Sequence, residues 1–411
     1  MTSSVGANIN KKTAPKNKSP LLKPEAFNMP MFDIPFLLSV LLILAVGLIM
    51  LYSTGYAASY LKNNGDSYYF ISKQVTFALV GIGVMFVASV APSLISKKLY
   101  NSLIMIFYVV SIALLVAVLF LSKESEKRWL YIMGFQFQPS EFAKLAIIMM
   151  LALYISIYKD EMKSFLKGII IPGIIFGIPF ILVFLEPHLS GAILIAGMGY
   201  VMLFTGGHKK WVPLLIIGLG LILAVFFVLD YSIAHGNYLF LKEYQAKRFL
   251  VWHDPTEDLL GAGFQPYQSL LTIGSGGAFG LGYGKSRQKY LFLPEPQNDY
   301  IFSVIAEELG FIGVIVIMLL FIFLIWRGIY IGIRARNTFE SMLVIGIISK
   351  VAIQTLLNFL VVSNTIPSTG ISLPFFSYGG TALLVQLAEM GLVLHASRFA
   401  YLDKGKKGPQ E

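Results

Sequence analysis

LPEPQNDYIFSVIAEELGFIGVIVIMLLFIFLIW (Leu293–Trp326) is the stretch that decides the fold. Its second part is an apolar run as long as the roughly 20 residues a helix needs to cross a bilayer core. Its first part sets two prolines and the carboxylates of Glu295 and Asp299 directly ahead of that run. Ionisable groups at such a place are costly and usually mark a site, so the same stretch that fixes a membrane span also raises the question of function.

Nine further windows read the same way. The ten spans are Asp33–Tyr52, Val75–Val90, Leu103–Leu121, Glu141–Tyr158, Gly168–Leu185, Leu189–Phe204, Trp211–Leu229, Tyr300–Trp326, Met342–Val362 and Phe375–Leu394. The composition agrees: 56% of the 411 residues are hydrophobic and 13% charged, with a mean hydropathy of +0.73, unlike an ordinary soluble domain. The expected architecture is an all-α polytopic membrane protein of about ten transmembrane helices. Residues 1–30 read as a disordered basic tail, 31–400 as the membrane domain and 401–411 as a second short tail.

Charge gives the spans a direction. With the basic N-terminal tail inside, the inside connections hold Lys97 and Lys98, then Lys159, Lys163 and Lys167, then Lys209 and Lys210, then Arg327, Arg334 and Arg336, and finally Arg398, Lys404, Lys406 and Lys407. The outside connections EPHLSG and SNTIPSTGISLP have no lysine or arginine. By the positive-inside rule both termini are then cytoplasmic, and residues 230–299 form a large external loop between helices 7 and 8. The net charge of +10 is spread over these short loops rather than gathered into a basic domain, so it points to topology and not to nucleic acid.

With no cysteine in the chain, thiolate nucleophiles, disulfides and cysteine metal sites are excluded, and chemistry falls to carboxylates, hydroxyls and basic groups. Glu141 and Lys144 stand three apart in QPSEFAKLAI, after a proline that suits a first helical turn, and so project from one face near the outer end of the fourth span. A structural ion pair is the plain alternative to a binding role. Lys123, Lys127 and Arg128 form a cationic group held outside against the charge rule; it suits an anionic partner or simply a solvated loop.

In the large loop, Lys247/Arg248 and Arg287/Lys289 accompany a glycine-rich run, GSGGAFGLGYG. That run offers backbone N–H groups to phosphates, but it lacks the Walker and Rossmann contexts, and tight turns or close packing explain glycine equally well. Asp299 can serve as a general base on a sugar hydroxyl or hold a divalent cation. From spacing alone the simpler reading is a helix N-cap. Glu295, Glu307 and Glu308 share the ambiguity, the last two as partners within the bundle. Ser377 lies in the SYGG turn with no histidine near it in sequence, so it reads as a cavity wall and not as a nucleophile. Lys350, deep in the ninth span, either snorkels or pairs with Glu389.

Taken together and in this order, QPSEFAK, QSLLTIGSGG, FLPEPQNDYIFSVIAEELG and LPFFSYGG resemble the SEDS family of bacterial cell-wall proteins (FtsW, RodA and SpoVE), over about residues 33–400 and closer to FtsW than to RodA. The resemblance implies a peptidoglycan glycosyltransferase of the bacterial cytoplasmic membrane that polymerises lipid II with release of undecaprenyl diphosphate, in septal, division-type wall synthesis. It implies Asp299 as the catalytic residue, and Glu141, Lys144 and Arg128 as residues of the substrate cavity, to which the residue reading adds Lys247 and Arg248, in a segment suited to an anionic ligand, and Ser377 as wall. It implies no tightly bound cofactor, with a divalent cation (Mg or Mn) at Asp299 as an option, and a class B penicillin-binding protein transpeptidase as partner. Two positions depart from the pattern. Asn298 replaces a usual threonine, and His188 stands in PHLSG where an acid is usual. Rival readings are a lipid II flippase or other carrier, which should carry polar groups near the midplane, and a non-catalytic division scaffold.

Overall fold

The computed structural model describes residues 32–121, 128–132, 135–186, 189–207, 218, 248, 250–290 and 292–399. Both tails, Lys247, His188 and, apart from Gly218, the seventh expected span therefore lie outside the described residues.

The other nine expected spans are helices: α1 (Ile34–Lys62), α2 (Tyr69–Leu94), α3 (Lys97–Leu121), α4 (Pro139–Ile157), α5 (Ile171–Leu185), α6 (Leu189–Thr205), α8 (Ile301–Ile333), α9 (Thr338–Val362) and α10 (Gly380–Phe399). A π-turn, Leu166–Ile170, leads into α5. A short α7, Phe264–Ser275, belongs to the long connection before α8 and is not a span. Eight of these segments are long and apolar enough to cross a membrane, and α6 is a shorter apolar helix. The chain is a multi-pass membrane protein. Outward-facing Leu79, Val87, Phe120, Phe311 and Trp326 are exposed, as lipid contact requires and water would not favour.

Among the described residues, the one departure from an all-α architecture is an antiparallel pair of strands, β1 (Leu130–Ile132) with β2 (Phe135–Phe137), just before α4. Its strands read LYI and FQF, rich in the aromatic and branched residues that favour extended backbone.

At the face opposite Asp299, Asp33 caps α1 by accepting from Phe36 N at 3.0 Å and pairs with Arg327 of α8 at 2.8 Å. Its own N–H donates to Ser397 Oγ of α10. One aspartate thus ties three helices at that end.

Near the other face, α8 breaks at Gly310, whose φ of 65° a side chain would strain. The backbone groups freed by the break are taken up by the glycine-rich run. Leu281 N and Gly282 N donate to the carbonyls of Glu307 and Glu308, and Phe311 N and Ile312 N donate to Gly277 O and Ala278 O. Broken backbone at membrane depth is tolerated when partners of this kind satisfy it. A Cβ on Gly310 would lie 2.2 Å from Gly280 N, so both strands of this contact need glycine.

Candidate functional site

The approach to Asp299 is held by main-chain bonds from three sides. Ser377 Oγ donates to Asn298 O at 2.7 Å and accepts from Leu373 N at 2.8 Å. Tyr378 N donates to Gln297 O at 2.9 Å. Asn358 of α9 donates its side-chain amide to Asp299 O at 2.9 Å and to Ile371 O at 2.7 Å. The PFFSYGG turn therefore works as a clamp on residues 297–299, and the Ser377 hydroxyl donates its proton within it. Within the approach, Glu295 has a φ of 45° and pairs with Lys62 at 2.9 Å, while Asn298 donates to Glu295 Oε2 at 2.7 Å.

Asp299 does not cap α8, contrary to the simpler reading of its spacing. The helix starts at Ile301 and its N-cap is Tyr300, which makes no side-chain cap bond. The carboxylate turns instead to the 368–371 segment, where a Cβ on Gly370 (φ 69°) would meet Asp299 Oδ2 at 3.2 Å. Arg248 reaches the same segment, donating through Nη1 to Ser368 O at 3.3 Å. Its stretch of chain is docked there by Trp252, which donates to Asn364 O at 3.0 Å and accepts from the Asn364 amide at 3.1 Å. Tyr300 joins the two charges: burial raises its phenol pKa, the Asp299 charge raises it further and the Arg248 charge opposes them. Asp299 and Arg248, 51 positions apart in the sequence, thus converge on the 368–371 segment, and both charges act on Tyr300.

Deeper in the bundle, Glu141 and Lys144 do pair, at 2.7 Å with both side chains buried. They do not stand alone. Lys350 of α9 lies 3.9 Å from Glu141 Oε2 and donates to Glu389 of α10 at 2.7 and 2.9 Å. One face of α9 connects this cluster to Asp299, because positions four apart stack on one side of a helix. Lys350 is followed by Gln354, which donates to Ser372 O at 3.0 Å, and then by Asn358 beneath Asp299. Two turns of helix, about 12 Å of rise, carry a continuous polar stripe from the cluster to the carboxylate.

Arg128, just ahead of β1, acts on Glu186 at the end of α5. Glu186 is fully buried, and neither of its carboxylate oxygens has a hydrogen bond. Burial pushes its pKa up to about 8 against the opposing Arg128 charge. Sequence reasoning missed Glu186, Gln354 and Asn358. The last two had a visible signal, namely polar residues every fourth position in an apolar helix.

Lys289, which accompanies the glycine-rich run in the sequence, is not available to a ligand. It is buried, pairs with Glu308 at 2.9 Å and donates to Ser53 Oγ of α1 at 2.9 Å. Ser286 and Arg287 turn their backbone N–H groups to the Glu308 and Glu307 carboxylates, respectively. The N–H groups of Leu281, Gly282, Ser286 and Arg287 therefore serve α8.

Among the described residues, no three His, Asp or Glu side chains gather into a metal-binding group. Asp299 offers one carboxylate, which fits a Mg²⁺ held jointly with substrate phosphates and water better than an all-protein cage.

The profile of the FtsW/RodA/SpoVE family, described as cell cycle protein, matches residues 34–402. Stage V sporulation protein E of Bacillus subtilis is 37% identical over 375 residues, covering 90% of this chain and 97% of the relative. A probable peptidoglycan glycosyltransferase FtsW of Trichlorobacter lovleyi is 35% identical over 381 residues, covering 92% and 95%. Among solved structures, a chain of a peptidoglycan synthase complex that coordinates polymerization and crosslinking superposes with a TM-score of 0.69 at 28% identity, covering 90% of this chain and 99% of that one. The rod shape determining protein RodA of Thermus thermophilus superposes with a TM-score of 0.62 at 25% identity, covering 90% and 98%.

Proposed function

The chain belongs to the FtsW/RodA/SpoVE family of cell cycle proteins, and from that membership together with the Asp299 pocket we infer that it is a peptidoglycan glycosyltransferase polymerising lipid II in division-type wall synthesis. The observation that carries the reading is a half-buried carboxylate, fixed through its own main chain by Asn358 and set against the same 368–371 segment that the Arg248 guanidinium reaches. Asp299 accepts the proton of the acceptor's sugar hydroxyl as that oxygen attacks the donor's anomeric carbon. The bond from that carbon to the diphosphate breaks, and undecaprenyl diphosphate leaves with the electron pair. Arg248, with Lys247 beside it in sequence and Arg128 across the face, supplies the cations that such a leaving group needs. A divalent cation, when bound between Asp299 and the diphosphate, would offset charge developing on the leaving oxygens.

The Asp299 face is external and both termini are cytoplasmic, since the basic residues crowd the opposite connections. The partner is a class B penicillin-binding protein that cross-links the strands; the likeness to a chain of a peptidoglycan synthase complex supports this. The buried Glu141–Lys144–Lys350–Glu389 cluster is the feature that would also suit a carrier. The test is glycan-strand formation from labelled lipid II by the purified chain with its transpeptidase, beside lipid II transfer across vesicles holding the chain alone. Polymer without transfer supports the enzyme, and transfer without polymer supports the carrier.

A further inference from the structure

Four ionisable side chains from three helices meet inside the bundle, and only two of them fall in a stretch that carries the family likeness. Glu141 and Lys144 lie in QPSEFAK, whereas Lys350 and Glu389 lie in none of the four motifs. Lys350 and Glu389 bury a second ion pair within reach of the first, a placement that is stable only when every charge is partnered.

The geometry of Lys350 is lopsided. Its ammonium lies near two carboxylates but hydrogen-bonds one of them: Glu389 at 2.7 and 2.9 Å, against Glu141 Oε2 at 3.9 Å. Glu141 in turn hydrogen-bonds Lys144 at 2.7 Å. A lysine stem has four flexible carbons, so a shift of about 1 Å would bring the Lys350 ammonium into hydrogen-bond range of Glu141. We propose that Glu389 is a positioning residue for Glu141, holding the Lys350 ammonium off so that Glu141 stays with Lys144. The proposal rests on the reading of Glu141 and Lys144 as cavity residues of the glycosyltransferase.

In E389Q the Lys350 charge loses its partner and moves onto Glu141, which then sits between two ammonium groups. In K350M the Glu389 carboxylate is left buried without its ammonium and draws on Lys144 instead. In K350M/E389L both charges are gone and Glu141 returns to Lys144. The single variants should therefore be damaged and the double variant repaired, although it has lost more polar groups.

The test measures initial rates of polymer formation from labelled lipid II by the full chain with its transpeptidase, for wild type, E389Q, K350M and K350M/E389L, at a temperature below the melting of all four. Each single variant should lose tenfold or more in kcat with KM changed less than about twofold, and the double variant should return to within threefold of wild type. A double variant as slow as the singles, or singles at the wild-type rate, overturns the proposal. Melting temperatures of K144M, E389Q and K144M/E389Q supply a readout independent of activity. The drop caused by K144M should be clearly smaller when Glu389 is already neutral, and additive drops contradict the linkage. If wild type makes no polymer, the glycosyltransferase reading fails, and the melting temperatures alone decide whether Glu389 governs the Glu141–Lys144 pair.

Discussion

Asn358 donates its side-chain amide to the main-chain carbonyl of Asp299 at 2.9 Å and, with its other N–H, to Ile371 O at 2.7 Å. One side chain on α9 thereby sets the distance between the segment that ends in the carboxylate and the segment that faces it. N358L leaves two carbonyls without that donor, at a cost of about 1–3 kcal/mol each where they are buried. We predict a loss of tenfold or more in polymerisation rate with a smaller change in lipid II KM. Steady-state kinetics with labelled lipid II check this.

Gly370 faces Asp299 from the other side. Its φ of 69° and the 3.2 Å between a Cβ built on it and Asp299 Oδ2 mean that G370A both strains the backbone and pushes the carboxylate. G370A should lose most polymerisation and keep its ability to bind the transpeptidase. Activity and co-purification, measured on the same preparation, separate the two effects.

Glu186 gives a pH dependence of stability with a definite sign. Its pKa is raised from 4.5 to about 8 in the folded chain, so between these values the folded state holds more protons than the unfolded. Stability from this group is present in full below about pH 4.5 and is lost as pH rises toward 8. The loss reaches an order of magnitude of about 5 kcal/mol at and above pH 8. E186Q, which cannot ionise, should melt higher than wild type at pH 8, and the difference should shrink steadily toward pH 5. Melting curves in detergent across that range are the check.

Lys289 and Glu308 form a buried pair that joins the long connection before α8 to that helix and, through Ser53, to α1. E308Q leaves an ammonium buried without its counter-charge, at a cost of about 3–5 kcal/mol. K289M/E308Q removes both charges and keeps acceptors for Ser53 and the Ser286 N–H, so it should melt closer to wild type than E308Q does. Thermal denaturation of the three proteins tests this.

These contacts show what the sequence could and could not disclose. Length and hydropathy located nine of the ten expected spans among the described helices, because a helix crossing a membrane satisfies its own backbone and must be apolar over a fixed length. The i, i+3 spacing of Glu141 and Lys144 placed that pair on one face. Asp299 was different: a residue one or two positions before a helix fits a cap by spacing, and only the Asn298–Ser377 and Asp299–Asn358 bonds, 79 and 59 positions apart, show that the approach is held elsewhere. Nothing in the sequence around Lys289 shows its contact with Ser53, 236 positions away. The glycine-rich run likewise needed the break at Gly310 before its purpose was visible.

The most direct test of the account is polymer formation from labelled lipid II by the purified chain with its transpeptidase, wild type against D299N, each with Mg²⁺ or Mn²⁺ and with chelator. The account predicts glycan strands from wild type and none from a D299N protein that melts at the same temperature. Strands made by D299N at the wild-type rate would contradict it.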